Sequence, residues 1–107
     1  MTRVELLYFD GCPNHEPLHD RVRELISAHD LQATIHTVPI ASEEEARARR
    51  FLGSPSLRID GVDVEPDADA RTDFGIKCRL FVTPQGLRGM PADAWTVAAL
   101  KRAKTHR

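Results

Sequence analysis

The sequence predicts an α/β domain, a small mixed β-sheet with helices packed on its faces in the order βαβ-α-ββ-α. Three observations predict it. The apolar run "VELLYF" is followed by a helical stripe and then a second branched run, which together make a βαβ unit. Asp60-Gly61 stands between two short alternating runs, the signature of a tight hairpin. A closing helical segment opens at Pro91, a residue well suited to the first helical position. At 107 residues the chain can build one hydrophobic core, and residues 1–107 are expected to form a single domain.

Val4 to Phe9 make a nearly continuous apolar run, as expected of a central strand buried on both faces. Beyond Pro13, Leu18, Val22, Leu25 and Ile26 fall at helical spacing and carry a helix to about His29. Branched residues between about Ala33 and Ile40 predict a second strand, which Pro39 marks as an edge or a strand end. The crossover between these strands should be right-handed. Ser42 and Glu45 have the spacing of a capping box, and the three glutamates that follow Ser42 and the arginines at 47, 49 and 50 complement a helix dipole. That second helix is expected from about Glu43 to Leu52, with Gly53 ending it. "SPSLRIDGVDVEP" gives the hairpin, with Leu57 and Ile59 on one face, and the acidic stretch from Glu65 to Phe74 reads as a surface loop. In "GIKCRLFV", Ile76, Cys78, Leu80 and Val82 alternate with Lys77, Arg79 and Phe81. That pattern predicts an extra strand near 76–82 with Cys78 among its inward residues. "TPQG" turns the chain, and the last helix runs from Pro91 to about Lys104 with Trp95, Ala98, Ala99 and Arg102 at helical spacing.

The charge balance is 15 basic against 16 acidic residues, so no broad field draws the chain to nucleic acid or to an anionic membrane, and neither is an expected partner. No run approaches the roughly 18 apolar residues of a membrane span, and "MTRVELLYFD" lacks the features of a secretory leader. A cytoplasmic location is the expectation. The chain has no phosphate-cradling glycine loop and no nucleophilic serine motif. Two cysteines are too few for a disulfide scaffold, and in a reducing compartment such a pair is more often reactive or metal-binding than structural.

Chemistry therefore centres on Cys12. If the first strand ends near Asp10 and Pro13 opens the helix, Cys12 is the cap, where free backbone N–H groups and the helix dipole favour a thiolate. Thiolate is the nucleophile of disulfide exchange and the ligand of soft metals. His15, one turn on, would stabilise that thiolate as an imidazolium, and Asp10 would oppose it if turned toward the sulfur. Each residue also fits a plainer role: Cys12 as a small packed side chain, His15 at the border of the apolar stripe, Cys78 as a core thiol. Cys12, His15 and His19 share a helical spacing, and with Cys78 they make a candidate set for zinc or a thiophilic metal such as mercury.

Two junctions carry a resemblance. Cys12-Pro13-Asn14-His15 after the first strand and Gly53-Ser54-Pro55-Ser56 before the third are similar to the corresponding sites of the thioredoxin-like superfamily. The wording "VELLYFDGCPN", "FLGSPSLRIDG" and "KCRLF" resembles a group of small bacterial thioredoxin-like proteins, some of them labelled alkylmercury lyase. The resemblance implies a three-layer sandwich with Cys12 as the catalytic thiol and Pro55 as a cis-proline beside it. It also implies that Pro13, Ser54 and Pro55 bind substrate, the backbone of Ser54 pairing with an extended segment. His15 stands where a dithiol protein has its resolving cysteine. Cys78 then takes that role if its alpha carbon lies within about 7 Å of that of Cys12. Otherwise exchange proceeds through one thiol with glutathione or a similar partner. The expected function is thiol–disulfide exchange, without a cofactor, on protein or small-molecule disulfides. The alternatives are handling of a thiophilic metal or organomercurial, with Asp10 as the proton source, and a non-catalytic interaction module on the same fold.

Overall fold

A computed structural model of the protein describes residues 1–105. Strand β1 (Thr2–Tyr8) lies at the centre of a four-stranded sheet of order β2-β1-β3-β4. It runs parallel to β2 (Ala33–Pro39) and antiparallel to β3 (Ser56–Ile59), which turns back into β4 (Val62–Asp63). The central position follows from its side chains: successive residues of a strand face opposite sides, and Val4, Leu6 and Leu7 are all fully buried. Pro39 closes β2 at the sheet edge, where a missing N–H costs no ladder bond.

Helices cover both faces. On one, α1 (His15–Ala28) and α3 (Asp93–Thr105) bring Leu18, Val22, Ala99 and Leu100 against Val4, Leu6, Leu57 and Ile59. Arg21 of α1 holds Asp93 of α3, with Nε 3.1 Å from Oδ1. On the other face, α2 (Glu43–Ala48) packs Ala46 with Leu7, Ile40 and Phe51. The chain is thus a mixed α/β sandwich, with a one-turn 3-10 helix at Ala68–Ala70 and a separate hairpin, β5 (Phe81–Thr83) with β6 (Gly86–Arg88), before α3. Among the described residues no helix is long and apolar enough to cross a membrane.

The expected hairpin is present, and its chemistry is visible: Asp60 and Gly61 have φ of +49° and +86°, the two positive values that a type I′ turn requires. The cap of α2 forms one half of the expected box, Ser42 Oγ accepting the Glu45 N–H at 3.0 Å, while Glu45 Oε1 reaches past the cap residue to accept the Ala41 N–H at 2.9 Å.

Two expectations are corrected. Helix α2 stops at Ala48 and not at Leu52, because Arg50 turns left-handed (φ +55°) and Phe51 N–H bonds back to Ala46 O at 2.7 Å, a Schellman ending without glycine. The segment near 76–82 is not a continuous strand, and its faces are reversed. Regular pairing starts at Phe81, preceded by an isolated bridge at Cys78. Arg79 and Phe81 are buried, while Leu80 and Val82 are 62% and 73% exposed. The cause is a set of acidic partners for Arg79, described below.

Candidate functional site

Past β1 the chain makes a tight turn, the Cys12 N–H bonding to Phe9 O at 3.2 Å with Gly11 at φ +90° in the position where a type II turn needs glycine. Helix α1 then begins at His15. Asn14 is its cap (φ −103°, ψ −4°), and the Leu18 N–H bonds to Asn14 O at 3.1 Å. Cys12 therefore lies two residues ahead of the cap, and Pro13 is an exposed residue of the turn, not the first of the helix. The expected cap position of Cys12 is overturned because Asn14 already carries the first helical carbonyl. His15 reaches back to the same turn: its Nδ1 lies 3.0 Å from the carbonyl oxygen of Cys12. A carbonyl only accepts, so Nδ1 bears the proton and donates. The ring stacks on Tyr8, centroids 4.2 Å apart and planes within 11°. His15 thus fixes the main chain of Cys12 from a packed position.

Ser54 joins the site from the other side. It is 1% exposed, its Oγ accepts the Phe9 N–H at 3.4 Å, and the Ser54-Pro55 peptide bond is cis. Pro55 is fully buried. The backbone of Ser54, expected to stand open for a substrate, is filled by the chain itself. Its N–H donates to Lys77 O at 2.8 Å and its carbonyl accepts the Arg79 N–H at 2.9 Å, a parallel bridge that sets Ser54 opposite Cys78. Gly53 permits the crossing: at φ +120°, a Cβ there would stand 3.0 Å from both Lys77 O and Arg79 Cβ.

No family model, curated protein or solved structure matches this chain.

Residues 75–79 form a strap that is fastened along its length. The Gly75 N–H bonds to Phe51 O at 3.0 Å and the Ile76 N–H to Glu43 Oε1 at 2.9 Å. Lys77 Nζ lies 2.9 Å from Asp73 Oδ2 and also contacts the Asp73 carbonyl. Arg79 is buried; its guanidinium donates to Ser56 Oγ at 2.9 Å, to both oxygens of Asp63 at 2.8 and 3.0 Å, and to Glu65 at 3.0 Å. The same guanidinium lies 4.4 Å from the centre of the Phe81 ring, and its Nε has no partner among the described residues. Arg71 extends the network, reaching Glu65 at 3.0 Å and Asp73 at 2.7 Å. Hydrogen bonds from Arg71 and then Lys77 hold the Asp73 carboxyl well below the usual carboxylate range, and Asp73 raises Arg71 in turn.

Both cysteines are free thiols, Cys12 buried at 5% exposure and Cys78 exposed. Cys78 is thus not the inward core residue that alternation predicts. The soft-metal set also fails: among the described residues no three His, Cys, Asp or Glu side chains gather closely enough to hold a metal ion, so Cys12, His15, His19 and Cys78 do not form one. Sequence reasoning missed Arg79 and Glu43, which set the strap. The only sequence signal for Arg79 is opposite charge at separations of 14 and 16 residues, and Glu43, which accepts a backbone N–H 33 residues on, leaves no pairwise signal.

Proposed function

We propose that the protein is a thioredoxin-like thiol–disulfide exchange protein whose working thiols are Cys12 and Cys78. One observation carries the reading: Ser54 is hydrogen-bonded to both cysteine-bearing segments, through Oγ to Phe9 of the Cys12 turn and through its backbone to Lys77 and Arg79 around Cys78. The parallel β1–β2 pair bridged by α1, the antiparallel β3–β4 hairpin and the cis-proline ahead of β3 support the same reading.

The exposures support an order of events in which Cys78 leads, in place of the expected lead of Cys12. The Cys78 thiolate attacks one sulfur of a partner disulfide; that bond breaks, and the leaving thiolate takes a proton from water. The Cys12 thiolate then attacks the Cys78 sulfur, expelling the second partner thiol and closing a Cys12–Cys78 bond. The partner disulfide is reduced to two thiols and the two thiols of this chain are oxidised to one disulfide. His15 keeps the Cys12 turn in place through its bond to the Cys12 carbonyl.

Incubation with oxidised glutathione, followed by intact mass, tests this. The expected product is a monomer lighter by two hydrogens, absent from Cys78→Ser, with a glutathione adduct trapped on Cys78 in Cys12→Ser. Adducts without an internal bond in the wild-type protein would overturn the couple.

A further inference from the structure

The strap closes the backbone edge at Ser54 but opens another. In a parallel ladder, the Lys77 carbonyl and the Arg79 N–H both turn toward Ser54, so the N–H and carbonyl of Cys78 between them turn the opposite way. The hairpin continues this alternation. Thr83 and Gly86 close the loop as a hydrogen-bonded pair, which makes Phe81·Arg88 the next such pair and leaves the backbone groups of Val82, opposite Leu87, facing away from β6. Neither bend nor turn interrupts the chain between Cys78 and Thr83. Residues 78, 80 and 82 therefore offer their N–H and carbonyl groups along one unpaired edge, and no strand among the described residues lies beside it.

The side chains of that edge are as telling. Cys78, Leu80 (62%) and Val82 (73%) are exposed in a row, while Arg79 (2%) and Phe81 (0%) between them are anchored in the interior. Leu87, paired with Val82, is 61% exposed and widens the apolar surface. Natural sheet edges are usually blunted by charge, proline or a bulge, and the three outward positions here carry none of these. A held, uncharged edge of this kind suits strand addition, in which main-chain bonds give affinity and alternate side chains give specificity.

We propose that the Cys78–Val82 edge is the docking site for an extended segment of a cysteine-bearing polypeptide, added as an antiparallel strand. The inference rests on the thiol-exchange reading and names its substrate class. With the partner cysteine opposite Cys78, directly opposed alpha carbons stand about 5.5 Å apart, inside the range a disulfide spans. In that register the residues two and four positions before the partner cysteine lie opposite Leu80 and Val82. The preferred sequence is apolar-x-apolar-x-Cys. A second copy of this chain is the weaker occupant. Three outward residues per chain form a small contact beside the roughly 800 Å² per partner of a stable interface, whereas a flexible peptide needs only this edge.

The test uses a fluorescent apolar-x-apolar-x-Ser peptide for binding and the cysteine form, as its mixed disulfide with glutathione, for exchange. Expected are saturable binding of the serine peptide and exchange at least tenfold faster with the peptide disulfide than with oxidised glutathione. Both preferences should fall to the level of a scrambled peptide in Leu80→Asp and Val82→Asp, and with a peptide N-methylated at alternate residues. Val62→Asp, which alters an equally exposed residue of the β3–β4 hairpin, should keep both. Equal rates on the two disulfides, or binding insensitive to Leu80→Asp, overturn the edge while leaving the exchange reading intact. Absence of any exchange overturns the exchange reading, and serine-peptide binding then decides the edge alone. Dimerisation in sedimentation that Leu80→Asp abolishes assigns the edge to a second copy and overturns the peptide.

Discussion

Arg79 is the residue on which the site depends most. Its side chain is 1% exposed, and Asp63 and Glu65 are themselves only 13% and 14% exposed, so removing the cation strips nearly buried Asp63 of its ion-pair partner and leaves Glu65 with Arg71 alone. Breaking such a pair costs far more than its net contribution suggests, about 3–5 kcal/mol. Arg79→Ala should lower unfolding stability by that amount in urea titrations. Arg79→Lys should rescue little, because an ammonium cannot reproduce the two-pronged contact with Asp63. A cost under about 1 kcal/mol would show that the network is a bystander. Gly53 is the second such residue: Ala there meets the strap at 3.0 Å and sits at φ +120°, so Gly53→Ala should cost about 1–3 kcal/mol and speed exchange of the Arg79 amide. Unchanged amide protection would rule out the tight crossing as its cause.

Elements built from local chemistry were legible in the sequence. Asp60-Gly61 announces its turn because few other residue pairs take two positive φ values, and the Ser42–Glu45 spacing announces its helix because the cap bonds are local. Ser42→Ala should accordingly cost about 1 kcal/mol. The strap was not legible, since alternation alone assigns Lys77 and Arg79 to solvent and cannot see that Asp63 and Glu65 will receive Arg79. The cap of α1 departs from expectation for a similar reason: Pro13 suits a first helical position, but Asn14 suits the cap equally well and takes it. Strap fastening also carries a pH dependence. The folded-state pKa of Asp73 lies below its unfolded value, so its contribution is complete above about pH 4 and is lost as pH falls below that. Protection of the Gly75 and Ile76 amides should decline over that acidic window, and Asp73→Asn should flatten the decline. High salt should weaken the effect, because the Asp73 side chain is half exposed.

At the scale of the molecule, the two faces of the sheet are unequal. Among the described residues, nine buried side chains and two long helices close one face, whereas four buried side chains and a six-residue helix close the other. A helix as short as α2 has no stability of its own and persists only while Ala46 and Phe51 stay packed. The strap is tied to that weaker face, through Phe51 O to Gly75 and through Glu43 to Ile76. Loss of α2 therefore releases the strap, and with it the bond from Gly75 to Phe51 and the setting of Cys78 against Ser54. Native-state hydrogen exchange in low denaturant should find the Phe51, Gly75 and Arg79 amides opening together, at a free energy below that of the β1 and β3 amides. Phe51→Leu, which trims the smaller cluster, should lower that opening by about 1 kcal/mol and leave the α1–β1 amides nearly unmoved. If all these amides instead exchange with one common free energy, the molecule unfolds as a single unit, and the strap can expose the Ser54 edge only when the whole fold is lost.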